Sequence, residues 1–211
     1  MGMKAFISLF AVLLTAAIFI GCHSAAEIPE KTDQENTTGR KSTMRVFVDE
    51  PSYDSADEIF ESADNIFSGT VKEINFEIFN MKTGEIDRNP ESNDTDRMLY
   101  TVYVIDVQNT YKGEEKGERS IRVTGGLTSR IDEQFELLES AGLSDTYPII
   151  PVTSSKIKLS KGVSYLFCTD DSKSGVCDII LNSDQFAQSI SSAFAQEIID
   201  YCELQKANVQ Q

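Results

Sequence analysis

Two stretches of this chain alternate as β-strands do and then lose phase. From Ile66 to Phe79 the apolar face is first Phe67, Gly69 and Val71 and then Ile74, Phe76 and Ile78, so the parity changes near Lys72-Glu73. From Leu99 to Val107 it is first Tyr100, Val102 and Val104 and then Ile105 and Val107. Strand side chains repeat with a period of two, so a one-residue slip would turn an entire apolar set toward water. A β-bulge absorbs the extra residue and bends the strand. Two long bent strands suit the closure of a small barrel. The competing reading is a pair of strands with both faces partly buried.

The remaining pattern adds helices to this β framework. Ser55 and Glu58 form a capping-box pattern ahead of Ile59 and Phe60, which predicts a short helix over Ser55 to Ala63. Residues 80–97 are polar and form a long, mobile hairpin loop in this reading. Ser120 to Thr124 is a third strand, with Ile121 and Val123 on one face and Gly125-Gly126 ending it. In residues 129–141, Ile131, Phe135 and Leu138 share a helical face, which predicts an inserted amphipathic helix. Pro148 and Pro151 bracket an irregular apolar segment. Strands resume at Val163 to Thr169 and Val176 to Leu181, and a final helix from about Ser191 to Gln205 docks through Ile190, Phe194, Ile198, Tyr201 and Cys202. The expected fold is mainly β with added helices.

The amino-terminal end carries an address. Lys4 precedes an apolar run from Ala5 to Ile20, followed by Gly21 and Cys22. A charged start, an apolar middle and a small residue at the cut are the layout of a secretory leader. Phe19-Ile20-Gly21-Cys22 resembles a bacterial lipobox, although Phe19 stands where such signals favour Leu. The resemblance implies a signal peptide over 1–21, cleavage after Gly21 and acylation of Cys22 with palmitate-type chains. Two alternatives stand beside it. Ser24-Ala25-Ala26 offers a cut after Ala26 that would leave a secreted, unlipidated protein, and an uncleaved run would be an anchor shorter than the roughly 20 residues that span a bilayer. Residues 22–43 are polar and charged with little to bury, so Cys22 and its sequel read as a flexible tether. The folded domain is expected over 44–211.

Within that domain, Ala63-Asp64-Asn65-Ile66-Phe67-Ser68-Gly69-Thr70-Val71 is similar to the opening of tissue inhibitors of metalloproteinases and netrin-like modules. Tyr100 to Val107 with Tyr111-Lys112-Gly113 resembles their second strand and its ending. Leu159 to Phe167 and Gly175-Val176-Cys177 resemble their later strands. The similarity runs in short patches over about residues 63–182. It implies a five-stranded Greek-key barrel of the OB type, carrying a short amino-terminal helix, an inserted amphipathic helix and a docked carboxy-terminal helix. The family's inhibitory mechanism uses a free amino-terminal Cys in a Cys-x-Cys motif, whereas Cys22 is followed by His23-Ser24 and is expected to hold lipid.

Composition narrows the function. The chain has 34 acidic against 19 basic residues, a net charge of −15, so phosphate backbones are repelled and no nucleic acid partner is expected. Its one histidine, His23, adjoins the anchor, which removes Ser-His-Asp and Cys-His catalysis and multi-histidine zinc sites. The acidic residues Glu85, Asp87, Glu91, Asp94 and Asp96 lack the EF-hand spacing and read as a solvated charged loop, so neither metal nor cofactor is expected. Cys168, Cys177 and Cys202 are candidate disulfide partners. Cys168 could face Cys177 across a hairpin symmetric about residues 172–173, Cys202 could reach either one, or all three could be small buried residues. The expected role is noncatalytic: a lipoprotein on the extracytoplasmic face of a bacterial membrane, held to the bilayer through Cys22. It would bind an envelope or extracellular protein or ligand near the barrel's second and third strands. The alternatives are a metalloproteinase inhibitor and, behind it, a hydrolase built on two carboxylates.

Overall fold

The computed structural model describes residues 42–48, 52–146, 148–153, 158–180 and 186–209. The leader, Gly21, Cys22 and the tether as far as residue 41 lie outside the described residues. Among the described residues the chain is a sheet-rich β structure with three helices. In order these are β1 (Met44–Val48), α1 (Ala56–Ser62), β2 (Asn65–Asn80), β3 (Arg97–Lys112), β4 (Glu118–Thr124), α2 (Ile131–Ser140), β5 (Ile149–Thr153), β6 (Ser164–Asp170), β7 (Asp178–Ile180), β8 (Ala187–Ser189) and α3 (Ala193–Val209).

β2 and β3 form the long hairpin, and the phase change of β2 near Lys72 is a register shift, whereas β3 pairs unbroken with β4 over Tyr100 to Asp106 and keeps one alternation through Val104-Ile105. Val71 pairs with Ile105 and Glu73 with Val104, which leaves Lys72 without a partner. Two further shifts fall between Ile66 and Phe67 and between Ser68 and Gly69. β3 passes so close there that a Cβ on Gly69 would lie 2.6 Å from the Asp106 carbonyl oxygen. Bent in this way, β2 pairs with β3 over its length and with β6 over Asn65 to Thr70, both antiparallel. β4 lies antiparallel to β3 and parallel to β7, and β6 lies antiparallel to β7 and β8. The pairings therefore run from β2 through β3, β4, β7 and β6 and back to β2. Three short strands were not expected from the sequence. β1 pairs in parallel with β5, where an irregular apolar segment was read, and β8 adds to β6.

The main core gathers Phe67, Val71, Tyr103, Ile105, Ile121, Leu166 and Phe167 from the strands with Ile59 of α1 and Ala195, Ile198 and Cys202 of α3. Phe67 and Phe167 stack at 5.4 Å, and Phe60 meets Tyr201 edge-on at 5.4 Å, which brings α1 to α3. Past the bulge, Phe76, Ile78 and Leu99 turn toward Leu138 and Ala141 and form a second cluster under α2. Gln134, fully buried on α2, donates to the Leu127 and Arg130 carbonyls at 2.5 and 2.8 Å, tying the helix to the turn before it. The capping pattern at α1 is realised in altered form. Glu58 accepts from the Asp54 amide at 2.9 Å, and the Ser55 hydroxyl bonds to Asp57, holding that carboxyl below its usual range.

A buried ion pair sits where β4 meets β7. Their ladder contains two pairs, Ile121 with Asp178 and Arg122 with Ile179. Arg119 Nη1 donates to Asp178 Oδ2 at 2.8 Å, its Nη2 donates to the Glu114 carbonyl at 2.6 Å, and its guanidinium lies 5.1 Å over the Phe67 ring. The Thr169 hydroxyl of β6 donates to the same Asp178 oxygen at 3.2 Å. Asp178→Ala leaves a buried guanidinium without its counter-charge and should lower stability by about 3–5 kcal/mol in urea denaturation. Adding Arg119→Met should recover a large part of that loss, and a double variant no more stable than Asp178→Ala would contradict the buried-charge account.

Candidate functional site

Alternation along β3 and β4 sends Tyr103, Ile105 and Ile121 into the main core and Tyr100, Val102 and Arg122 to the opposite face. On that face Glu77 lies opposite Tyr100, with Phe79 two residues further along β2. Phe79, Val102 and Cys177 form a third buried cluster, and the Phe79 and Tyr100 rings meet edge-on at 5.3 Å. The Arg122 guanidinium lies 4.8 Å from the centre of the Phe79 ring and 5.3 Å from that of Tyr100. The residue is only 7% exposed.

Two loops close over this face. The turn after β2 is pinned by Asn80, whose Oδ1 accepts from the Lys82 and Thr83 amides at 2.9 and 3.1 Å. It delivers Gly84, at φ 75°, onto Arg122. The Gly84 carbonyl oxygen accepts from Arg122 Nη1 at 3.0 Å and from Ser174 Oγ, in the loop between β6 and β7, at 2.7 Å. A Cβ at position 84 would lie 3.2 Å from that Oγ and 3.3 Å from Arg122 Nη2, so a side chain there would crowd both partners as well as strain the backbone. The nearby carboxylate Glu77 is already held by two hydrogen bonds from Arg88. Burial pushes the Cys177 thiol up to about 11, with the neighbouring Arg122 pulling the other way.

The loop 80–97, expected to be mobile, is instead tied internally. Arg97 is buried and donates to the carbonyls of Asn89, Ser92, Asp94 and Ala141 at 2.8 to 3.3 Å, which fastens the loop to the end of α2. Two of its acidic residues, Asp87 and Asp94, serve as turn acceptors. Asp94 accepts from the Asp96 amide and from Asn80 Nδ2, which holds its carboxyl below its usual range. Asp87 accepts from the Asn89 amide and the Ser92 hydroxyl. Among the described residues no group of three or more His, Cys, Asp or Glu converges as a metal site would require.

Elsewhere the surface offers an open polar groove of about 550 Å3, lined by Gln108, Asn109, Tyr111, Lys116, Glu203 and Lys206. Its amides are committed inward, Gln108 Nε2 to Thr70 Oγ1 and Asn109 Nδ2 to Ser68 Oγ. At the start of β2, Asn65 Nδ2 donates to Asp171 Oδ1, the Asp171 amide donates to Asp64 Oδ2, and the Asp64 amide donates to Asp170 Oδ1. Burial, together with the Asp64 and Asp171 charges, raises the Asp170 carboxyl above its ordinary range.

The three cysteines of the domain are free and buried. β6 pairs with β7 as Thr169 with Ile180 and Asp170 with Ile179, a register offset by four residues from the symmetric hairpin that would set Cys168 opposite Cys177. Cys168 and Cys202 share the main core instead, while Cys177 packs in the third cluster. Gly21 and Cys22 fall outside the described residues. The residues the sequence reading missed are Arg122, Gly84 and Ser174. Alternation around Ile121 and Val123 does point Arg122 away from the core, but no local signal says that two loops will bury it.

The chain matches no family model, no curated protein and no solved structure.

The acidic cluster yields a pH test. A carboxyl raised in the folded state penalises folding once it ionises, and the penalty is relieved as pH falls through its folded value toward the unfolded value of about 3.9. Asp170→Asn should therefore raise the thermal midpoint at neutral pH and lose its advantage near pH 4. An advantage that stays constant over this range would mean the gain is not electrostatic.

Proposed function

We propose that this chain is a lipid-anchored, noncatalytic binding module displayed on the extracytoplasmic face of a bacterial membrane, with an OB-type barrel as its body. The observation that carries the anchoring is Cys22 itself, placed directly behind an apolar run and Gly21 and ahead of a polar tether. The barrel reading is supported by the pairing order. A three-stranded antiparallel meander (β2, β3, β4), a parallel step to β7 and an antiparallel return through β6 to β2 are the pairings an OB-type Greek-key barrel would use, with α2 between β4 and β6 where such a barrel carries its helix. The binding role is supported by the cation and rings that β2, β3 and β4 carry on their outer face, the face with which such barrels bind ligands. Fold alone does not confer activity, so the inference to binding rests on that face.

Expression of the full chain with its own leader in a bacterial host, with radiolabelled palmitate and membrane fractionation, tests the anchor. The protein should take up label and sediment with membranes, and Cys22→Ala should take up none. Recovery of an unlabelled, soluble protein cut after Ala26 would replace the anchored reading with ordinary secretion. Affinity capture from solubilised membranes with the acylated protein then tests the binding role, which predicts a partner that survives washing and competes with excess free domain.

A further inference from the structure

Three arginines are buried among the described residues, and they are not equally satisfied. Arg97 donates to four carbonyl oxygens. Arg119 has Asp178 and a carbonyl. Arg122 has the Gly84 carbonyl and the faces of two rings, its Nε, like that of Arg119, is buried without a hydrogen-bond partner, and, unlike Arg119, it has no carboxylate within ion-pair distance among the described residues. The two carboxylates near it are both engaged, Glu77 by Arg88 and Asp178 by Arg119. A desolvated guanidinium without a counter-charge is an expensive element of a fold, and it is the donor chemistry that recognises carboxylate and phosphate oxygens.

The cover over Arg122 is lightly attached on one side. Residues 172–177 run between two anchored aspartates, Asp171 on Asp64 and Asn65 and Asp178 on Arg119. Among the described residues, the one side-chain hydrogen bond from this segment to the rest of the domain is Ser174 Oγ to the Gly84 carbonyl. Internal hydrogen bonds run from the Gly175 amide to the Ser172 carbonyl and among Ser172, Ser174 and Val176. Val176 is exposed, and a Cβ on Gly175 would meet open space. Only Cys177 packs inward, against Phe79 and Val102.

We propose that residues 172–177 form a flap, latched by Ser174 on Gly84, over a site in which Arg122 binds the anionic oxygen of a carboxylate- or phosphate-bearing ligand. The Phe79 and Tyr100 rings hold the guanidinium flat and fix its orientation, so a ligand finds the fork already in place. The ligand binds the lifted form and so draws the population toward it. This deepens the binding reading proposed above and rests on it.

Cys177 rides on the flap, and the fully buried Cys168 and Cys202 of the main core serve as internal references. The full chain is alkylated with iodoacetamide under native conditions, and each cysteine peptide is quantified by mass spectrometry. Cys177 should react well before the other two, as a local opening requires. Ser174→Ala, which removes one hydrogen bond, should speed Cys177 by about 3- to 10-fold and leave Cys168 unchanged. Inorganic phosphate or succinate should each speed Cys177 relative to chloride at equal ionic strength, by about threefold or more at saturation. Arg122→Gln should abolish that response. If that variant loses protection at Cys168 and so has unfolded, Arg122→Lys gives the same comparison, because an ammonium lacks the planar fork and should weaken the response. Equal labelling of all three thiols would overturn the flap. Indifference to both anions, or a response that survives in a folded Arg122→Gln, would overturn the site. Either failure leaves the membrane capture experiment free to succeed through another surface, so the two readings fail separately.

Discussion

The Arg119–Asp178 pair is what holds one of the two shortest seams among the described residues. β4 and β7 meet over two residue pairs, in parallel, without a hairpin to bring them together. So short a ladder contributes little alone, and parallel pairing is somewhat weaker per residue than antiparallel. Asp178 compensates by accepting from β4 through Arg119 and from β6 through Thr169 at a single carboxylate oxygen. The pair thus joins three strands, and Arg119 also covers the Phe67 ring at the centre of the main core. A buried ion pair is not a strong source of net stability, because desolvation offsets much of the attraction. Its value here lies in position. An apolar pair would pack at the seam equally well in other registers, whereas a charge pair with shared hydrogen bonds selects one.

The same economy appears at the other end of the long hairpin. In Tyr111-Lys112-Gly113, Lys112 donates to the Phe60 and Ala63 carbonyls at 2.5 and 2.6 Å and lies 4.7 Å over the Phe60 ring, closing the carboxy-terminal end of α1 with a cation. Gly113 sits at φ 92°, where a Cβ would come within 2.2 Å of Asn65 Oδ1. The last residues of β3 therefore dock the first helix and leave room for the start of β2. Lys206 of α3 reaches the Thr110 carbonyl at 2.9 Å, so the carboxy-terminal helix is fastened to the same corner.

What the sequence disclosed follows from which interactions are local. The bulge at Lys72 was legible because alternation is a property of consecutive residues, whereas β3 runs unbroken through Val104-Ile105, where adjacent apolar residues suggest a phase change that does not occur. The three helices were legible through their stripes and caps, within a few residues at their ends. β1, β5 and β8 were not. Each is five residues or fewer, too short for a period to register, and each is held by pairing to a strand far away in sequence. The hairpin register of β6 and β7 also escaped, because the loop is not centred on the turn residues, and with it went the alignment of Cys168 with Cys177. Arg122 shows the limit most clearly. Its direction was legible from Ile121 and Val123, but its burial depends on Gly84 and Ser174, which are 38 and 52 positions away along the chain and are brought together by the β2–β3 hairpin and the β6–β7 turn.

Burying these arginines leaves the outside of the domain acidic. Arg97, Arg119 and Arg122 are 3–7% exposed, and of the carboxylates only Glu77 and Asp178 are buried among the described residues. The surface therefore keeps the acidic balance of a chain whose formal charge is −15. At physiological ionic strength such a field decays over about 8 Å, so it acts on what comes near the domain and fades over a longer tether. If Cys22 holds the chain to a membrane, repulsion from anionic headgroups keeps the domain away from the bilayer. An anionic ligand approaching Arg122 meets the same repulsion. Association should then be slow and insensitive to steering, with selectivity arising from the flap and the preoriented guanidinium after contact. A cationic protein partner faces the opposite balance, drawn quickly to the acidic exterior while the ring-flanked face stays closed. Two surfaces of opposite preference on one small domain would let it hold a basic partner outside and admit an anionic group only where the latch yields.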